Sequence, residues 1–279
     1  MTAVAALAMY DWPEVAAAND ALWEFLAARL RQAGIAAPTR LDRTLRHDQP
    51  WRLRHLLLAQ TCGYPFVTQL RDKVQLVATP CYSAPGCAGA DYCSVIVASR
   101  RSGIGSLAEI GAATAAVNSE QSQSGYWALR AALAATPGAQ PPACAVLSGG
   151  HRQSLRMLAQ AVAEVAAIDA VCWALAQRHE PDAVARVRII ARSPAAPGLP
   201  LITALTTPEP VMMALREAFQ AVATEPSLAG PRAALLLAGF EPLPDGAYDR
   251  ILELKRLALT LPFPALSPSP PTHSPSRNG

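Results

Sequence analysis

The sequence predicts an α/β fold built from mostly parallel sheets, and three observations predict it. Short apolar runs alternate with stretches in which apolar residues recur at helical spacing. Most apolar runs end in a polar turn, as strands of a parallel sheet do before the helix that follows. The chain has 279 residues, of which 51% are hydrophobic and 16% charged, so it can bury one large core or two modest lobes.

The elements can be predicted in order from this alternation. A strand over residues 3–9 precedes a helix over residues 14–33, which Gly34 ends, and residues 38–48 leave room for an edge strand. The remaining strands are predicted over residues 53–58, 74–78, 92–98, 112–117, 143–147, 165–168, 187–191 and 202–205. The remaining helices are predicted over residues 106–110, 127–135, 152–163, 171–178, 209–223, 227–238 and 248–259.

A polar turn over residues 118–126 is the strongest candidate for a ligand site. It joins a predicted strand to a predicted helix, so it offers backbone N–H groups, hydroxyls and the positive end of a helix dipole to an anion. The alternative is structural, with Ser122 or Ser124 capping the helix and Gly125 relieving crowding.

Other polar side chains fall at or beside the ends of predicted strands. In α/β sheets ligands bind beyond the carboxyl ends of the strands, so this placement favours one shared cleft over a set of unrelated helix caps. The candidate ligand-binding residues are Tyr10, Gln60, Thr61, Tyr92, Ser122, Gln123, Ser124, His151 and Asp169.

Composition excludes several classes of function. The net charge is +3, and the arginines between residues 29 and 54 are interrupted by acidic residues and accompany no nucleic-acid motif, so no nucleic-acid partner is expected. The six cysteines lack zinc-type spacing, and we expect reduced thiols, the alternative being a disulfide between two of Cys81, Cys87 and Cys93. The sequence also lacks a phosphate-binding loop with its lysine and a dinucleotide-binding glycine pattern, so no cofactor is expected.

The first residues predict a location. Residues 2–9 are apolar but short and lack a preceding basic residue, which makes them a poor signal peptide and a good first strand. No direct membrane insertion is expected from the sequence. A cytoplasmic location is therefore predicted, and a periplasmic one if an export signal has been removed.

Four stretches resemble a known family, the PhnD-like phosphate, phosphite and phosphonate substrate-binding proteins of ABC transporters. The stretch Ser122-Gln123-Ser124-Gly125-Tyr126 is similar to the family's Ser-Thr-Ser-Gly anion turn, with Gln123 in place of the threonine. The other three stretches are residues 91–97, residues 102–107, and residues 149–154 with the later acid in residues 164–169.

The resemblance implies a periplasmic-binding-protein type II fold, with a ligand cleft between two lobes that close like a hinged clamp. The first lobe would combine residues 1–79 with residues 193–260, and the second would span residues 92–192. Residues 80–91 would form the hinge, and the C-terminal helices would pack on the first lobe. Residues 261–279, rich in Pro and Ser, are predicted to be disordered or polyproline-like.

The ligand-binding interpretation gives the polar turn and the histidine one common ligand. Ser122, Gln123 and Ser124 would donate hydrogen bonds to a phosphate-like oxyanion, and the following helix would add its dipole. His151 would donate to the same anion. The structural alternative is that His151 is an ordinary capping or core residue.

The remaining candidates have less specific roles. Asp169 would accept from a ligand hydroxyl, an ammonium group or a protonated phosphoryl oxygen, unless it serves only as the N-cap of the next helix. Tyr10 and Tyr92 would supply phenol donors, although aromatic residues at strand ends often only pack. Gln60 and Thr61 are candidates of the same kind.

The function predicted from these observations is non-catalytic capture of a small oxyanion such as phosphate, phosphite or a phosphonate. The expected partners are the small anion and an ABC-transporter permease or a cytoplasmic signalling partner. One alternative is a cytoplasmic sensor of the same fold. The other is an enzyme of pyrimidine or sulfonate metabolism, with Cys62 or Cys93 as nucleophile and His151 as base.

Overall fold

The computed structural model describes residues 3–268 of the chain. Its strands form two large sheets and a small ribbon. In chain order the strands are β1 (Val4–Ala6), β2 (Leu56–Gln60), β3 (Val74–Tyr82), β4 (Cys87–Ala88), β5 (Asp91–Tyr92), β6 (Ser94–Ser99), β7 (Thr114–Val117), β8 (Cys144–Leu147), β9 (Val165–Asp169), β10 (Val187–Arg192), β11 (Ala196–Pro197), β12 (Leu201–Ala204), β13 (Leu237–Glu241) and β14 (Leu266–Ser267).

Helices cover both sheets, and most lie where helical spacing predicts them. They are α1 (Ala16–Gln32), α2 (Gly63–Pro65), α3 (Ala128–Ala134), α4 (His151–Ala159), α5 (Ala170–His179), α6 (Pro181–Ala185), α7 (Glu209–Thr224), α8 (Ala229–Leu235) and α9 (Asp249–Ala258).

The first sheet has the strand order β1-β2-β12-β3-β13. The returning chain inserts β12 between β2 and β3, and both β12 and β13 run against their neighbours. The sheet is therefore mixed rather than mostly parallel as the sequence analysis expects, with a parallel pairing at β1 and β2. Helices α1, α7 and α8 pack with this sheet around Trp23, Leu30 and Phe219, and we call this assembly the first lobe.

The second sheet has the order β10-β6-β9-β7-β8-β14. Strands β9, β7, β8 and β14 are parallel, whereas β6 and β10 are antiparallel to their neighbours. Strand β9 is buried along its whole length, which explains its uninterrupted apolar sequence. Together with α3 to α6 this sheet forms the second lobe, and β11, β5 and β4 make a ribbon beside the crossovers.

Two local predictions are wrong. The helix predicted over residues 227–238 ends at Leu235, because Leu236 adopts a left-handed conformation (φ 57°) and the chain turns into strand β13. The edge strand allowed within residues 38–48 does not form. That segment is held instead by side-chain bonds, among them those from Arg43 to Asp11 and Asp20.

The C-terminal part of the chain also departs from the prediction. Helix α9 packs on α3 of the second lobe as well as on elements near the first, so it bridges the lobes. Residues 261–268 are not a disordered tail, since Phe263 contacts the Tyr126 ring edge-on and β14 extends the second sheet. Buried Arg130 secures this segment by donating to the carbonyl of Leu261. The rest of the predicted tail, residues 269–279, lies outside the described residues.

The two crossovers between the lobes are joined by one tyrosine. Tyr248, fully buried at the start of α9, shares a 2.6 Å hydrogen bond with Thr79 on β3 and donates to the carbonyl of Gly198 on the return segment. Strand β3 continues to Tyr82, so the first part of the predicted hinge is an extension of the first sheet. That the two lobes move as separate bodies, with the boundaries given in the sequence analysis, stays a prediction.

Candidate functional site

The candidate site is an open cleft of about 760 Å³ between the two lobes. Its walls come from the turns that follow β1, β7, β8 and β9, which is the strand-end position expected of an α/β ligand site. Five predicted residues line it, and they are Tyr10, Ser122, Ser124, His151 and Asp169. The other four, Gln60, Thr61, Tyr92 and Gln123, are buried and lie outside its lining.

The polar turn begins a short helical segment, as predicted. Ser122 is its N-cap, and its hydroxyl accepts from the backbone N–H of Gly125 at 2.9 Å. A Cβ at Gly125 would overlap with the side-chain amide of Asn118, which explains why glycine occupies this position. Ser122 caps the segment and also lines the cleft, so its structural role is present, and its contact with a ligand stays a prediction.

Part of the predicted anion cradle is already occupied within the protein. The backbone N–H of Gln123 donates to the Cys62 thiol at 3.3 Å, and those of Tyr126 and Trp127 donate to the Ser122 carbonyl. The Gln123 side chain is 2% exposed, and its Oε1 has no hydrogen-bond partner among the described residues. The polar group that this turn presents most directly to the cleft is therefore the hydroxyl of Ser124.

His151 contacts two other candidate residues, Ser124 and Asp169. Its Nδ1 lies 3.2 Å from the Ala167 carbonyl, so Nδ1 carries a hydrogen and donates it. Its Nε2 lies 2.8 Å from the Ser124 hydroxyl and 3.1 Å from Oδ2 of Asp169. Asn118 approaches the same nitrogen at 3.4 Å. The ring is therefore fixed at one nitrogen and faces the cleft with the other.

Asp169 is both a structural cap and a member of the site. Its Oδ1 accepts from the Cys172 backbone N–H at 2.7 Å at the start of α5, and its Oδ2 faces His151. The residue is 2% exposed. Each carboxylate oxygen has more than one acceptor position, so these contacts leave capacity for a ligand proton.

The arrangement differs from a hydrolase triad. In such a triad the serine and the acid contact opposite nitrogens of the histidine, so that the acid orients the base. Here both Ser124 and Asp169 contact Nε2, while Nδ1 is bonded to a backbone carbonyl. The acid therefore cannot orient His151 as a base toward the serine, which argues against nucleophilic catalysis by Ser124.

Two buried phenols lie beside this cluster. Neither the Tyr10 nor the Tyr92 hydroxyl has a hydrogen-bond partner within residues 3–268. Burial, followed by the Asp169 carboxylate, raises the pKa of Tyr10. Burial, followed by Cys62 and Asp169, raises the pKa of Tyr92, an effect that nearby Ser124 opposes. Both phenols therefore stay protonated and retain a hydrogen to donate.

Gln60 and Thr61 support the first lobe from behind the cleft. The Gln60 amide donates to the Tyr82 hydroxyl and the Leu199 carbonyl, both at 3.4 Å. The Thr61 backbone N–H donates to the Pro200 carbonyl at 3.0 Å. Both residues thus fix the end of β2 to the return crossover, and their direct contact with a ligand remains a prediction.

The cysteines are free thiols, as expected from the sequence. Cys62 and Cys172 line the cleft, and burial raises the pKa of each. For Cys172 the neighbouring Asp169 carboxylate adds to this effect. A thiol nucleophile needs a lowered pKa, so both environments disfavour the thiol-enzyme alternative.

Sequence reasoning missed a contact between the lobes at the rim of the cleft. Arg152 of α4 binds both carboxylate oxygens of Glu14, at 3.0 and 2.6 Å, and its guanidinium lies 4.5 Å from the centre of the Trp12 ring. Glu180 contacts the same arginine. The available signal was that Trp12 lies in the polar turn after the first strand.

Two further findings concern metal binding and membrane-spanning helices. Within residues 3–268, no group of three or more His, Cys, Asp or Glu side chains is arranged to hold a metal ion. No helix in the same range combines the length and apolar character needed to cross a membrane.

The model of one protein family matches most of the chain. The family is described as the ABC transporter, phosphonate, periplasmic substrate-binding proteins, and the match spans residues 54–248. The chain belongs to this family. Its resemblance to the PhnD-like proteins is therefore confirmed, and it is a non-catalytic solute-binding protein rather than an enzyme.

Solved structures of binding proteins share the fold of this family member. XAC2383 from Xanthomonas citri, bound to chloride ion, has a TM-score of 0.71 at 18% identity, over 93% of this chain and 98% of that one. A phosphonate-transporter binding protein from Pseudomonas aeruginosa, PA3383, has a TM-score of 0.71 at 18% identity, over 92% and 87%. PhnD1 from Prochlorococcus marinus, in complex with methylphosphonate, has a TM-score of 0.70 at 14% identity, over 91% and 97%.

At these identities the solved structures establish the fold alone, and they confirm the predicted two-lobed α/β class. No curated protein matches the chain in sequence. A permease of an ABC transporter is the partner that the family supports, whereas a cytoplasmic signalling partner has no support.

Proposed function

We propose that the chain captures a phosphorus oxyanion, namely phosphate, phosphite or a phosphonate, in the cleft between its lobes. One observation carries the proposal: the Ser124 hydroxyl and His151 Nε2 meet at 2.8 Å in the cleft wall, beside two buried phenols with no hydrogen-bond partner among the described residues. Buried donors without partners cost free energy, and an oxyanion would supply the missing acceptors.

The proposed donors in the cleft lining are Ser124, Tyr10 and His151, which donates from Nε2 as the imidazolium because its Nδ1 hydrogen is bonded to the Ala167 carbonyl. Tyr92 is a candidate donor from behind the lining, and Ser122 and Gln123 shape the turn that presents Ser124. Gln60 and Thr61 would hold the opposite wall rather than supply the main contacts. These roles rest on the placement and partners of each side chain.

Asp169 gives the proposed site a basis for selecting its anion. A carboxylate beside the donors repels a fully deprotonated anion and accepts a hydrogen bond from one that keeps a proton. Phosphate and phosphonates carry an ionisable proton near neutral pH, whereas sulfate does not. The site should therefore prefer protonated phosphorus oxyanions over sulfate.

Closure of the lobes is the proposed mechanism of capture. Removing water strengthens the contacts of an anion with oriented donors, and a ligand that binds the closed form better shifts the population toward it. The contacts of Arg152 with Glu14 and of Gln69 with Gln121, at 2.7 Å, already join the lobes across the rim. They would stabilise the closed form.

Delivery to an ABC-transporter permease is the role that the family favours, and it favours the periplasm as the place of action. A cytoplasmic location, predicted from the first residues alone, remains the alternative. Fractionation of cells that express the full gene with its native start distinguishes the two.

The ligand can be tested by thermal shift and calorimetry. Phosphate, phosphite and methylphosphonate should raise the melting temperature in a concentration-dependent manner, because they bind the folded state. Sulfate at equal ionic strength is the control and should raise it much less. If sulfate matches the phosphorus anions, the proposed role of Asp169 fails, and if no oxyanion raises the melting temperature, the proposed function fails.

A further inference from the structure

We infer that Cys62 limits the affinity of the cleft for oxyanions, because its thiol occupies the hydrogen bond that the Gln123 backbone N–H would otherwise give to a ligand. The inference rests on the proposed function and deepens it, since it names a residue that sets the affinity of the same site. It concerns the anionic head that phosphate, phosphite and phosphonates share.

The position of the thiol puts it between a backbone donor and the cleft. Cys62 lines the cleft, and so do Ser122 and Ser124 on either side of Gln123, whereas Gln123 itself does not. The Gln123 N–H donates to Sγ of Cys62, and the nitrogen and the sulfur are 3.3 Å apart. The sulfur therefore stands where a ligand oxygen would have to lie to accept this bond.

The Tyr92 phenol is an independent observation at the same place. Its side chain is 4% exposed and lies behind the cleft lining, and its hydroxyl has no hydrogen-bond partner within residues 3–268. Cys62 and Ser124 are both close enough to influence the pKa of Tyr92. A buried donor without an acceptor costs free energy, and an oxyanion oxygen in place of the thiol would supply the missing acceptor.

The thiol is a weak substitute for an oxyanion at the Gln123 N–H. Burial raises the pKa of Cys62, so its sulfur stays neutral at pH 7, and a neutral thiol sulfur accepts hydrogen bonds weakly. A hydrogen bond to an ionised oxygen is shorter and roughly twice as strong as one between neutral groups. An anion would therefore gain more from this N–H than the thiol does.

The polar turn is held by bonds that do not involve the thiol. The Ser94 hydroxyl donates to the Ser124 carbonyl at 2.8 Å, and the Trp127 indole N–H donates to the Glu120 carbonyl at 3.1 Å. The Trp127 ring also stacks on Tyr64, which follows β2 of the first lobe, with 5.0 Å between centroids. Removal of the thiol should therefore leave the turn in place and its first N–H free.

The test compares wild type, Cys62→Ala and Cys62→Ser by isothermal titration calorimetry with phosphate and methylphosphonate on the full chain. Cys62→Ala removes the acceptor and should lower the Kd for both ligands about tenfold, as one added hydrogen bond to a charged ligand produces. Cys62→Ser keeps an acceptor at this position, so it should tighten binding less than Cys62→Ala does. Cys81→Ala is the matched control and should leave the Kd unchanged, because Cys81 is equally 8% exposed and lies outside the cleft lining.

The calorimetric outcomes separate this inference from the proposed function. If wild type binds the two anions and Cys62→Ala binds them equally or more weakly, the inference is overturned while the proposed function stands. If Cys62→Ser tightens binding as much as Cys62→Ala does, loss of the acceptor is not the cause and the inference is also overturned. If neither wild type nor Cys62→Ala binds either anion, the proposed function fails and this inference fails with it.

The amide proton of Gln123 reports the contact directly by NMR of isotope-labelled protein. On addition of phosphate to Cys62→Ala this proton should shift downfield, because it then bonds to an ionised oxygen. In wild type it should shift much less, because the thiol keeps the bond. A downfield shift of the same size in wild type would show that the ligand displaces the thiol and would overturn the inference, and this wild-type measurement decides if Cys62→Ala does not fold.

Discussion

Ser124 and His151 lie 27 residues apart in the chain and form a 2.8 Å hydrogen bond across the wall of the cleft. The bond joins the turn after β7 to the first residue of α4, two elements that leave neighbouring strands of one sheet. Because Nδ1 of His151 is held by the Ala167 carbonyl, the ring cannot turn away without losing that bond. The pair is therefore a preformed element of the proposed anion site.

Removing the Ser124 hydroxyl should weaken anion binding. Ser124→Ala removes a hydrogen bond to a charged ligand, which is worth about 1.5–3 kcal/mol, so the Kd for methylphosphonate or phosphate should rise roughly tenfold to a hundredfold. Calorimetry on Ser124→Ala, His151→Gln and the double variant measures the coupling of the pair, and we expect the double variant to lose less than the sum. Ser83→Ala, an exposed serine that does not line the cleft, is the matched control. Unchanged affinity in both single variants would remove the pair from the site.

Gly125 should be required for the shape of the polar turn. In Gly125→Ala the new methyl group would overlap with the Asn118 amide, so Asn118 must move away from His151. We expect a loss of about 1–3 kcal/mol of stability together with weaker anion binding. Urea unfolding measures the first and calorimetry the second.

Gly239→Ala is the matched control for this substitution. Gly239 lies in β13 outside the left-handed region, and a Cβ there meets no atom within 4 Å. Alanine in such an open position should leave stability unchanged or raise it by about 0.4–1 kcal/mol. If the two substitutions change stability and anion binding equally, the overlap with Asn118 is not the reason for the loss in Gly125→Ala.

The sequence predicts that Ser124, His151 and Asp169 lie together, because their positions follow a local rule. Ser124 and His151 lie in the polar turns that follow two apolar runs, Asp169 ends a third, and strand ends in one sheet meet at one edge. Their common location in the cleft therefore follows from element order. The local rule cannot separate a helix cap from a ligand contact, and in the structure Ser122 and Asp169 both cap helical segments and line the cleft.

The features that the sequence does not predict depend on contacts or backbone conformations that no local sequence pattern indicates. Arg152 and Glu14 are 138 residues apart, so their contact depends on how the two lobes meet. Strand β13 was missed because its departure from α8 depends on a left-handed Leu236, a conformation that leucine seldom adopts. Composition predicts a disordered tail that includes residues 261–268, whereas buried Arg130 and the rings around it hold these residues in place.

The contact between Glu14 and Arg152 should add stability that depends on pH. Hydrogen bonding to Arg152 lowers the pKa of Glu14 from 4.5 to about 2. A carboxylate with a lowered pKa contributes its full stabilisation above the unfolded value of 4.5, and loses it as the pH falls toward 2. Because the pair is partly exposed, its contribution at pH 7 should be about 1 kcal/mol or less, a shift of a few degrees in Tm.

Calorimetric melting of Glu14→Gln and wild type from pH 7 to pH 2.5 tests this pH dependence. The difference in Tm should be constant at neutral pH and should shrink steadily below pH 4.5. Glu24→Gln, which alters an exposed carboxylate in the middle of α1, is the control and should not change Tm across the range. A difference in Tm that is the same at every pH would show that the effect of Glu14 is not electrostatic.

Alkylation should separate a binding protein from a thiol enzyme. Burial raises the pKa of Cys62 and Cys172, so both stay as unreactive thiols at pH 7.5, whereas Cys144 is exposed. Iodoacetamide followed by mass spectrometry should therefore find Cys144 modified while both cleft cysteines remain free, and the modified protein should keep its affinity for methylphosphonate. Cys144→Ser removes the fast-reacting site and serves as the control for labelling. Rapid modification of Cys62 with loss of ligand binding would contradict this account, because it would require a thiolate that the buried position disfavours.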